Sequence, residues 1–147
     1  ITMHYTMNEG SSEYKIDASH KYGPFTAGST DDNVAIAGAC IDRLNYQSGA
    51  VAIFYSTALT SQKALQASIS IKEADVGEDW GSAIPLLTTE SIATASGGGV
   101  YTFPIDFSQY KRYVQFTTTL DLTNTGTDTA DYAVAVIKTG SNTIPTS

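Results

Sequence analysis

The chain has 147 residues, with 8 lysines and arginines against 15 aspartates and glutamates and a formal net charge of −7. This length favours one domain with a core that folds without disulfides, and the single cysteine, Cys40, can form none within the chain. Because no stretch clusters lysine and arginine, and no apolar run approaches the roughly 20 residues of a membrane-spanning helix, we expect neither a nucleic-acid partner nor a membrane.

The first 32 residues divide into a patterned octet and a longer stretch without periodicity. The octet "ITMHYTMN" (1–8) alternates apolar and polar residues with the period of two that is typical of a strand. Residues 9–33 lose this alternation, and a structureless stretch of that length inside a compact domain tends to be functional. We therefore expect residues 1–32 to form an extended N-terminal arm that lies against another chain. Its predicted anchors are Tyr5, Tyr14, Ile16, Tyr22 and Phe25. Pairing of the octet within its own domain is the alternative.

From Asn33 onward, period-two alternation dominates and helical periodicity is nearly absent. The clearest strands are "ALQASISIKEA" (64–74), "RYVQFTTTLDL" (112–122) and "YAVAVIK" (132–138). Four more are predicted over "NVAIAGACI", "AVAIFYST", "SAIPLL" and "VYTFPID". Pro85 confines "SAIPLL" to the edge of a sheet, because proline cannot donate to a ladder. "SGGG" (96–99) is predicted to be a turn and "NTGTDTAD" (124–131) a hairpin loop.

These strands predict an all-β fold, an antiparallel β-sandwich or jelly roll, over residues 33–140, followed by a polar tail at 141–147. The apolar positions of the alternating strands should form its core. The predicted core residues are Val34, Ile36, Ile53, Ile69, Ile71, Val114, Phe116, Leu120, Val134 and Val136.

The residues that could carry chemistry do not form a recognisable catalytic or metal-binding pattern. His4 and His20 both fall in the predicted arm, without partners at the short spacings of metal sites, so we interpret them as exposed arm residues. The acidic stretches 73–80 and 121–131 are interpreted as solvated turns, although a carboxylate pair across a cleft, as in a glycosidase, stays open. We therefore expect no enzymatic activity, no cofactor and no metal site.

A polar, aromatic corner leads into an apolar strand in "IDRLNYQSGAVAIFYS" (41–56). Asp42 and Arg43 can bind neighbouring strand ends and so fix the entry to the strand, which makes this a structural corner. Tyrosine and tryptophan combine a large apolar ring with a polar tip, which suits interfaces as well as sandwich packing. Tyr46 and Trp80 are therefore further candidates for partner contacts.

The order of these motifs resembles the decoration or cement proteins of tailed bacteriophages. The resemblance is carried by the Asp-Arg-Leu-x-Tyr-x-Ser corner, "ASISIKEAD" with the following tryptophan, "YKRYVQF" and "YAVAVIK", and it covers about residues 33–138. It implies a β-sandwich or jelly-roll homotrimer without catalysis, located on the outside of a virion and bound to the major capsid protein. The host cytoplasm would be its location during assembly.

Two other functions stay open at this point. A carbohydrate-binding β-sandwich would stack sugar rings on Trp80 and exposed tyrosines, and it would be a monomer. A subunit of a phage tail or fibre is the second alternative.

Overall fold

The computed structural model describes residues 14–60, 63–123 and 125–141. These residues form two antiparallel sheets and one short turn of 3₁₀-helix (Phe107–Gln109). The strands are β1 (Lys15–Thr26), β2 (Val34–Ala37), β3 (Ile41–Asp42), β4 (Tyr46–Ala58), β5 (Leu65–Ala74), β6 (Ile84–Ala93), β7 (Gly97–Ile105), β8 (Tyr113–Leu122) and β9 (Thr129–Ser141). In this part of the chain there is no helix that could cross a membrane.

The two sheets have the strand order of a jelly roll. Sheet A runs β1-β9-β4-β7, sheet B runs β2-β8-β5-β6, and the short β3 also pairs with β8. If the short β3 is set aside, strands that follow one another along the chain lie in opposite sheets. The exception is the pair β5 and β6, which form a hairpin within sheet B. This arrangement of eight strands in two interleaved Greek keys confirms the predicted all-β antiparallel sandwich.

The core lies between the sheets and is built from every second residue of the long strands. In β8, the side chains of Val114, Phe116, Thr118, Leu120 and Leu122 are all buried, as the alternation predicts. The predicted core residues Ile53, Ile69, Ile71, Val114, Phe116, Leu120, Val134 and Val136 are each at most 2% exposed.

Two of the predicted core residues are corrected. Val34 and Ile36 are only half-buried, because they belong to β2, a four-residue strand at the edge of sheet B. In contrast, Phe107 is fully buried although it was not predicted. Gly49 makes room for it, since a Cβ there would lie 2.6 Å from the Phe107 ring and 2.2 Å from the Ile137 carbonyl oxygen.

The predicted N-terminal arm is wrong for Lys15–Thr26, which form β1 and pair antiparallel with β9. The domain therefore begins at residue 15 or earlier rather than at residue 33. Two register shifts interrupt this pairing, between Ala18 and His20 and between Tyr22 and Phe25. An edge strand tolerates such bulges and a proline because one of its sides need not pair. The octet 1–8, with Tyr5 and His4, lies outside the described residues.

The edge position predicted from Pro85 is confirmed, since β6 is the outer strand of sheet B. Pro24 and Pro104 likewise lie in edge strands, β1 and β7. Several strand ends differ from the predicted ones, and the predicted strand "NVAIAGACI" is divided into β2 and β3. β6 continues to Ala93, β7 includes the glycines that were predicted as a turn, and β9 begins at Thr129, within the predicted hairpin loop.

Candidate interaction surface

The corner before β4 holds the ends of several strands together. The Asp42 carboxylate accepts a hydrogen bond from the Leu44 backbone N–H (3.0 Å), and the Tyr46 N–H donates to the Arg43 carbonyl (2.9 Å). Asn45 completes the turn with a φ of 73°, a left-handed conformation that asparagine tolerates. The sequence "DRLNY" thus folds locally into a tight turn that directs the chain from sheet B to sheet A.

The two charged residues of the corner bind the segment that leads into β8. The Arg43 guanidinium donates to the carbonyl oxygens of Lys111 (3.0 Å) and Tyr110. Asp42 forms a two-point ion pair with Arg112, with distances of 3.1 and 2.9 Å. This hydrogen-bonded guanidinium lowers the pKa of Asp42. Both corner side chains are therefore engaged in connections between strands.

Lys138 extends these connections to β1. Its side chain, only 8% exposed, points between the sheets from β9. The Lys138 ammonium donates to the Asp42 carbonyl (2.9 Å), pairs with the Asp17 carboxylate (2.7 Å) and lies 5.1 Å from the centre of the Tyr46 ring. A buried ammonium needs such partners, because an unpaired charge in the interior is strongly destabilising.

The interpretation of His20 as an exposed arm residue is corrected, because its ring is partly buried in β1 and faces the core. The imidazole Nδ1 lies 2.8 Å from the Ser19 hydroxyl, and Nε2 lies 2.6 Å from the hydroxyl of Thr118 in β8. That hydroxyl in turn lies 3.0 Å from the Tyr132 hydroxyl of β9. Burial lowers the pKa of His20. The polar network therefore links the two sheets.

The predicted partner-contact residues do not converge on one place. Phe25 is excluded as an exposed anchor, since it is 2% exposed and packs with Tyr22 and Tyr132 in the core. Tyr22 is half-buried and donates its hydroxyl hydrogen to the Asp31 carbonyl (2.9 Å). The other described candidates are Tyr14 and Ile16, which are exposed, and Tyr46 and Trp80, which are half-buried. Of this set, Ile16 alone belongs to a larger apolar surface.

That surface is the outer side of sheet A. Side chains in β4 and β9 alternate between the two sides, so the buried Val51, Ile53, Val134 and Val136 leave the intervening residues pointing outward. These outward positions, together with those aligned with them in β1 and β7, are apolar except for Thr102 and Lys21. We call this surface the A face; it consists of Ile16, Ala18, Ala50, Ala52, Phe54, Val100, Thr102, Pro104, Ala133, Ala135 and Ile137.

Strand pairing arranges the A face in three rows across the sheet. The first row is Ile16, Ile137, Ala50 and Pro104; the second is Ala18, Ala135, Ala52 and Thr102; the third is Lys21, Ala133, Phe54 and Val100. Lys21 contributes a charge at the margin. With strands about 4.8 Å apart and a rise of about 3.4 Å per residue, the three rows have a footprint of roughly 300–400 Å². The area in contact with solvent is smaller, since Ala52 in the middle row is 0% exposed. Contiguous apolar patches on the surface of a folded domain are often functional.

The A face includes large side chains in contact with solvent. Ile16 is 60% exposed, Val100 52% and Phe54 51%. The sequence contained a signal for this surface, because "VAIFY" and "YAVAVI" are apolar at successive positions instead of at every second one. Strands with that composition are apolar on both sides.

A cleft of about 780 Å³ lies at one end of the A face. Phe54, Lys21 and Asp131 line it together with Tyr22 and Tyr55. Within the described residues, no group of three or more histidine, cysteine or acidic side chains is arranged to hold a metal ion. Outside the cleft, Asp121 in β8 also has a shifted pKa. Burial and the nearby Asp32 carboxylate raise the pKa of Asp121 above its ordinary value.

Comparisons with known proteins identify a shared fold. No family model and no curated protein matches the sequence. Among solved structures, infectious bursal disease virus (Gt strain) matches with a TM-score of 0.51 at 9% identity, over 88% of this chain and 32% of the viral chain. The VP2 subviral particle of that virus matches with 0.49 at 12% identity, over 90% and 34%. The carbohydrate-binding module TmCBM61, in complex with β-1,4-galactotriose, matches with 0.42 at 7% identity, over 92% and 94%.

The first of these matches shows that the chain has a viral capsid-type β fold. The chain spans about one third of the length of the viral chains it matches.

Proposed function

We propose that this protein is a non-enzymatic structural protein that binds the outside of a bacteriophage capsid and stabilises or decorates it. The observation that carries the proposal is the A face. An apolar surface of this size is costly to leave in water, so a domain that retains one commonly uses it to bind a partner. Two further observations favour a component of a virion as that partner. The sequence motifs resemble those of tailed-phage decoration proteins, and the fold is of the viral capsid type.

The partner that we propose is the major capsid protein. The A face extends across four strands and carries one charge at its margin, so it fits an apolar protein surface better than a small polar molecule or an anionic polymer. Its footprint of roughly 300–400 Å² is below the ~800 Å² that each partner commonly buries in a stable complex. Repeated copies on a particle would supply further contacts, and we propose that the protein is a homotrimer, as the resemblance implies.

The polar groups of the molecule support a non-enzymatic role. Asp42 and Arg43 bind strand ends, and His20 lies in a network between the sheets. In these positions the groups have structural partners, and their geometry is accounted for without a substrate.

Binding to purified particles tests the proposal. The variant Phe54→Asp with Val100→Asp places two charges on the A face, and it should lose most co-sedimentation with capsids. The matched control is Ser70→Asp with Thr119→Asp, which adds the same charge to the outer side of sheet B and should co-sediment like the unmodified protein. Far-UV circular dichroism checks that both variants fold. Equal co-sedimentation of both variants would contradict the proposal. The proposed homotrimer is tested separately by light scattering, which should report the mass of a trimer.

The cleft beside Phe54 favours a second candidate function, a carbohydrate-binding module. An exposed aromatic ring flanked by Lys21 and Asp131 could stack on a sugar and bind its hydroxyl groups. This function predicts a monomer whose Phe54→Ala variant loses binding on a glycan array. Glycan binding without any affinity for capsids would favour this candidate over the first.

A further inference from the structure

The outer edge of β7 is the least protected of the sheet edges in the described part of the chain. Natural sheets protect their edges with charges, bulges or very short strands, because an unpaired strand can pair with another chain. β2 and β3 have four and two residues, and three register shifts interrupt the pairing of β6 with β5. β1 carries charged residues and two register shifts. In contrast, β7 pairs with β4 over its whole length without a shift and contains no charged residue.

β7 directs backbone groups away from the sheet. In an antiparallel strand, the N–H and C=O of one residue point to one side, and those of the next residue point to the other side. Pro104 lies in an unbroken ladder although it has no N–H, so its nitrogen faces the outer edge. Val100 and Thr102 follow the same alternation and therefore direct both their N–H and their carbonyl outward. Among the described residues, no strand pairs with this edge.

Gly98 leaves the start of this edge open. A Cβ at Gly98 would lie 3.7 Å from the Tyr55 carbonyl oxygen, which is an ordinary contact, and the φ of Gly98 is not in the left-handed region. Neither packing among the described residues nor backbone conformation therefore requires a glycine at this position. Glycine inside a strand often marks a place where another backbone approaches closely.

We propose that an extended segment of the capsid protein pairs antiparallel with the outer edge of β7 and adds a strand to sheet A. In naming how the partner is held, this inference rests on the function proposed above. The added strand would continue the A face, since Val100, Thr102 and Pro104 belong to both the edge and the face. It would also supply contacts that the A face lacks, because a footprint of roughly 300–400 Å² is below the ~800 Å² that each partner commonly buries.

The neighbours of the added strand define its chemistry. Its side chains would alternate between the A face, beside Val100 and Thr102, and the opposite side of the sheet, beside the half-buried Tyr101 and Phe103. β7 offers no charge to pair with a charged residue on either side. The segment is therefore uncharged, with apolar or hydroxyl-bearing residues at successive positions, and backbone hydrogen bonds supply much of its affinity.

A proline at position 102 separates the edge from the A face. Thr102→Pro removes an outward N–H, so it should weaken co-sedimentation with purified capsids by about tenfold, because a carbonyl of the added strand loses its donor. Pro104 shows that β7 accepts proline at an outward position. The matched control, Thr102→Val, keeps the N–H and the same place on the A face, and it should bind like the unmodified protein. Equal binding by two folded variants would overturn the proposal.

Hydrogen exchange in the unmodified protein tests the edge even if Thr102→Pro does not fold. In the free protein, the amides of Val100 and Thr102 should exchange several-fold faster than those of Tyr101 and Phe103, which point toward β4. Binding to capsids should slow exchange at Val100 and Thr102 several-fold. Two results would overturn the proposal: equal rates at all four amides in the free protein, which would mean that the edge is already paired, and unchanged rates at Val100 and Thr102 on the particle.

The outcomes separate this inference from the proposed function. If the unmodified protein and both position-102 variants co-sediment equally, the capsid function stands and strand addition is rejected. If the unmodified protein does not co-sediment with capsids, the capsid function is rejected, and pairing with a capsid segment is rejected with it. A second copy is the other possible occupant of the edge. A dimer by light scattering that Thr102→Pro converts to a monomer, and Thr102→Val does not, would show pairing between two copies and overturn the proposal.

Discussion

The outer sides of the two sheets differ sharply although they occupy equivalent places in the fold. In sheet B, the central strands β5 and β8 direct polar pairs outward: Gln66 with Asp121, Ser68 with Thr119, Ser70 with Thr117, and Lys72 with Gln115. In sheet A, the central strands β4 and β9 direct apolar pairs outward: Ala50 with Ile137, Ala52 with Ala135, and Phe54 with Ala133. Sheet B therefore has the composition of a sheet with one solvated side, and sheet A has that of a sheet covered on both sides.

The different outer sides of the two sheets have opposite effects on self-association. A flat apolar surface promotes association with other copies unless it is covered or bound. The polar outer side of sheet B, with a net charge of −7 for the whole chain, favours solubility. The two sheets thus share one core but differ in the chemistry of their outer sides, which is polar in sheet B and apolar in sheet A.

The largest expected effect comes from the core that the two sheets share. Ile69 in β5 is 2% exposed, and Ile69→Ala should lower the free energy of unfolding by about 2–5 kcal/mol because it leaves a cavity. Its neighbour Ser70 points to the outer side of sheet B, so Ser70→Ala should change that free energy by no more than about 0.5 kcal/mol. Urea denaturation measures both, and similar losses for the two variants would contradict the assigned alternation of β5.

The next effect concerns the corner that connects the sheets. Arg43→Ala removes the donor to the carbonyls of Lys111 and Tyr110, and it should lower the free energy of unfolding by about 1–3 kcal/mol. Lys21→Ala at the margin of the A face is the control and should have little effect. Thermal unfolding compares the two variants; an unchanged melting temperature for Arg43→Ala would show that the corner does not fix the strands.

The elements that could be predicted from the sequence are those whose local pattern agrees with their final position. β5 and β8 alternate cleanly because one side meets the core and the other meets water, and Pro85 marked an edge. β1 could not be predicted in this way. Its partner β9 lies more than a hundred residues away along the chain, and a proline and two bulges disrupt its alternation.

The candidate surface illustrates a second limit of local patterns. Continuous apolar runs in β4 and β9 predict buried strands, but they do not specify what lies on each side. Phe54 and Val100 are neighbours only because β4 pairs with β7, and Ile16 joins them across β9. The A face is therefore a product of the sheet order, which no single stretch of the sequence contains.

The smallest expected effect is a pH dependence from the network between the sheets. Burial lowers the pKa of His20 below its ordinary value of 6.5, so on acidification the unfolded chain takes up this proton before the folded chain does. Stability contributed by the neutral imidazole is therefore fully present above pH 6.5 and is lost as the pH falls from there through the folded-state pKa. A proton on His20 leaves the ring without an acceptor, so it can no longer accept from either the Ser19 or the Thr118 hydroxyl.

His20→Gln isolates this contribution from that of the carboxylates, which also titrate in acid. The difference in unfolding free energy between the unmodified protein and His20→Gln, measured by urea denaturation at several pH values, should become less favourable to the unmodified protein as the pH falls below 6.5. The His20 imidazole resonances of the folded protein should titrate with a midpoint below 6.5. The prediction would be contradicted if His20 titrated with a midpoint at or above 6.5 and the difference in unfolding free energy did not change with pH. In that case protonation of the imidazole would cost no stability, and the network would tolerate the charge.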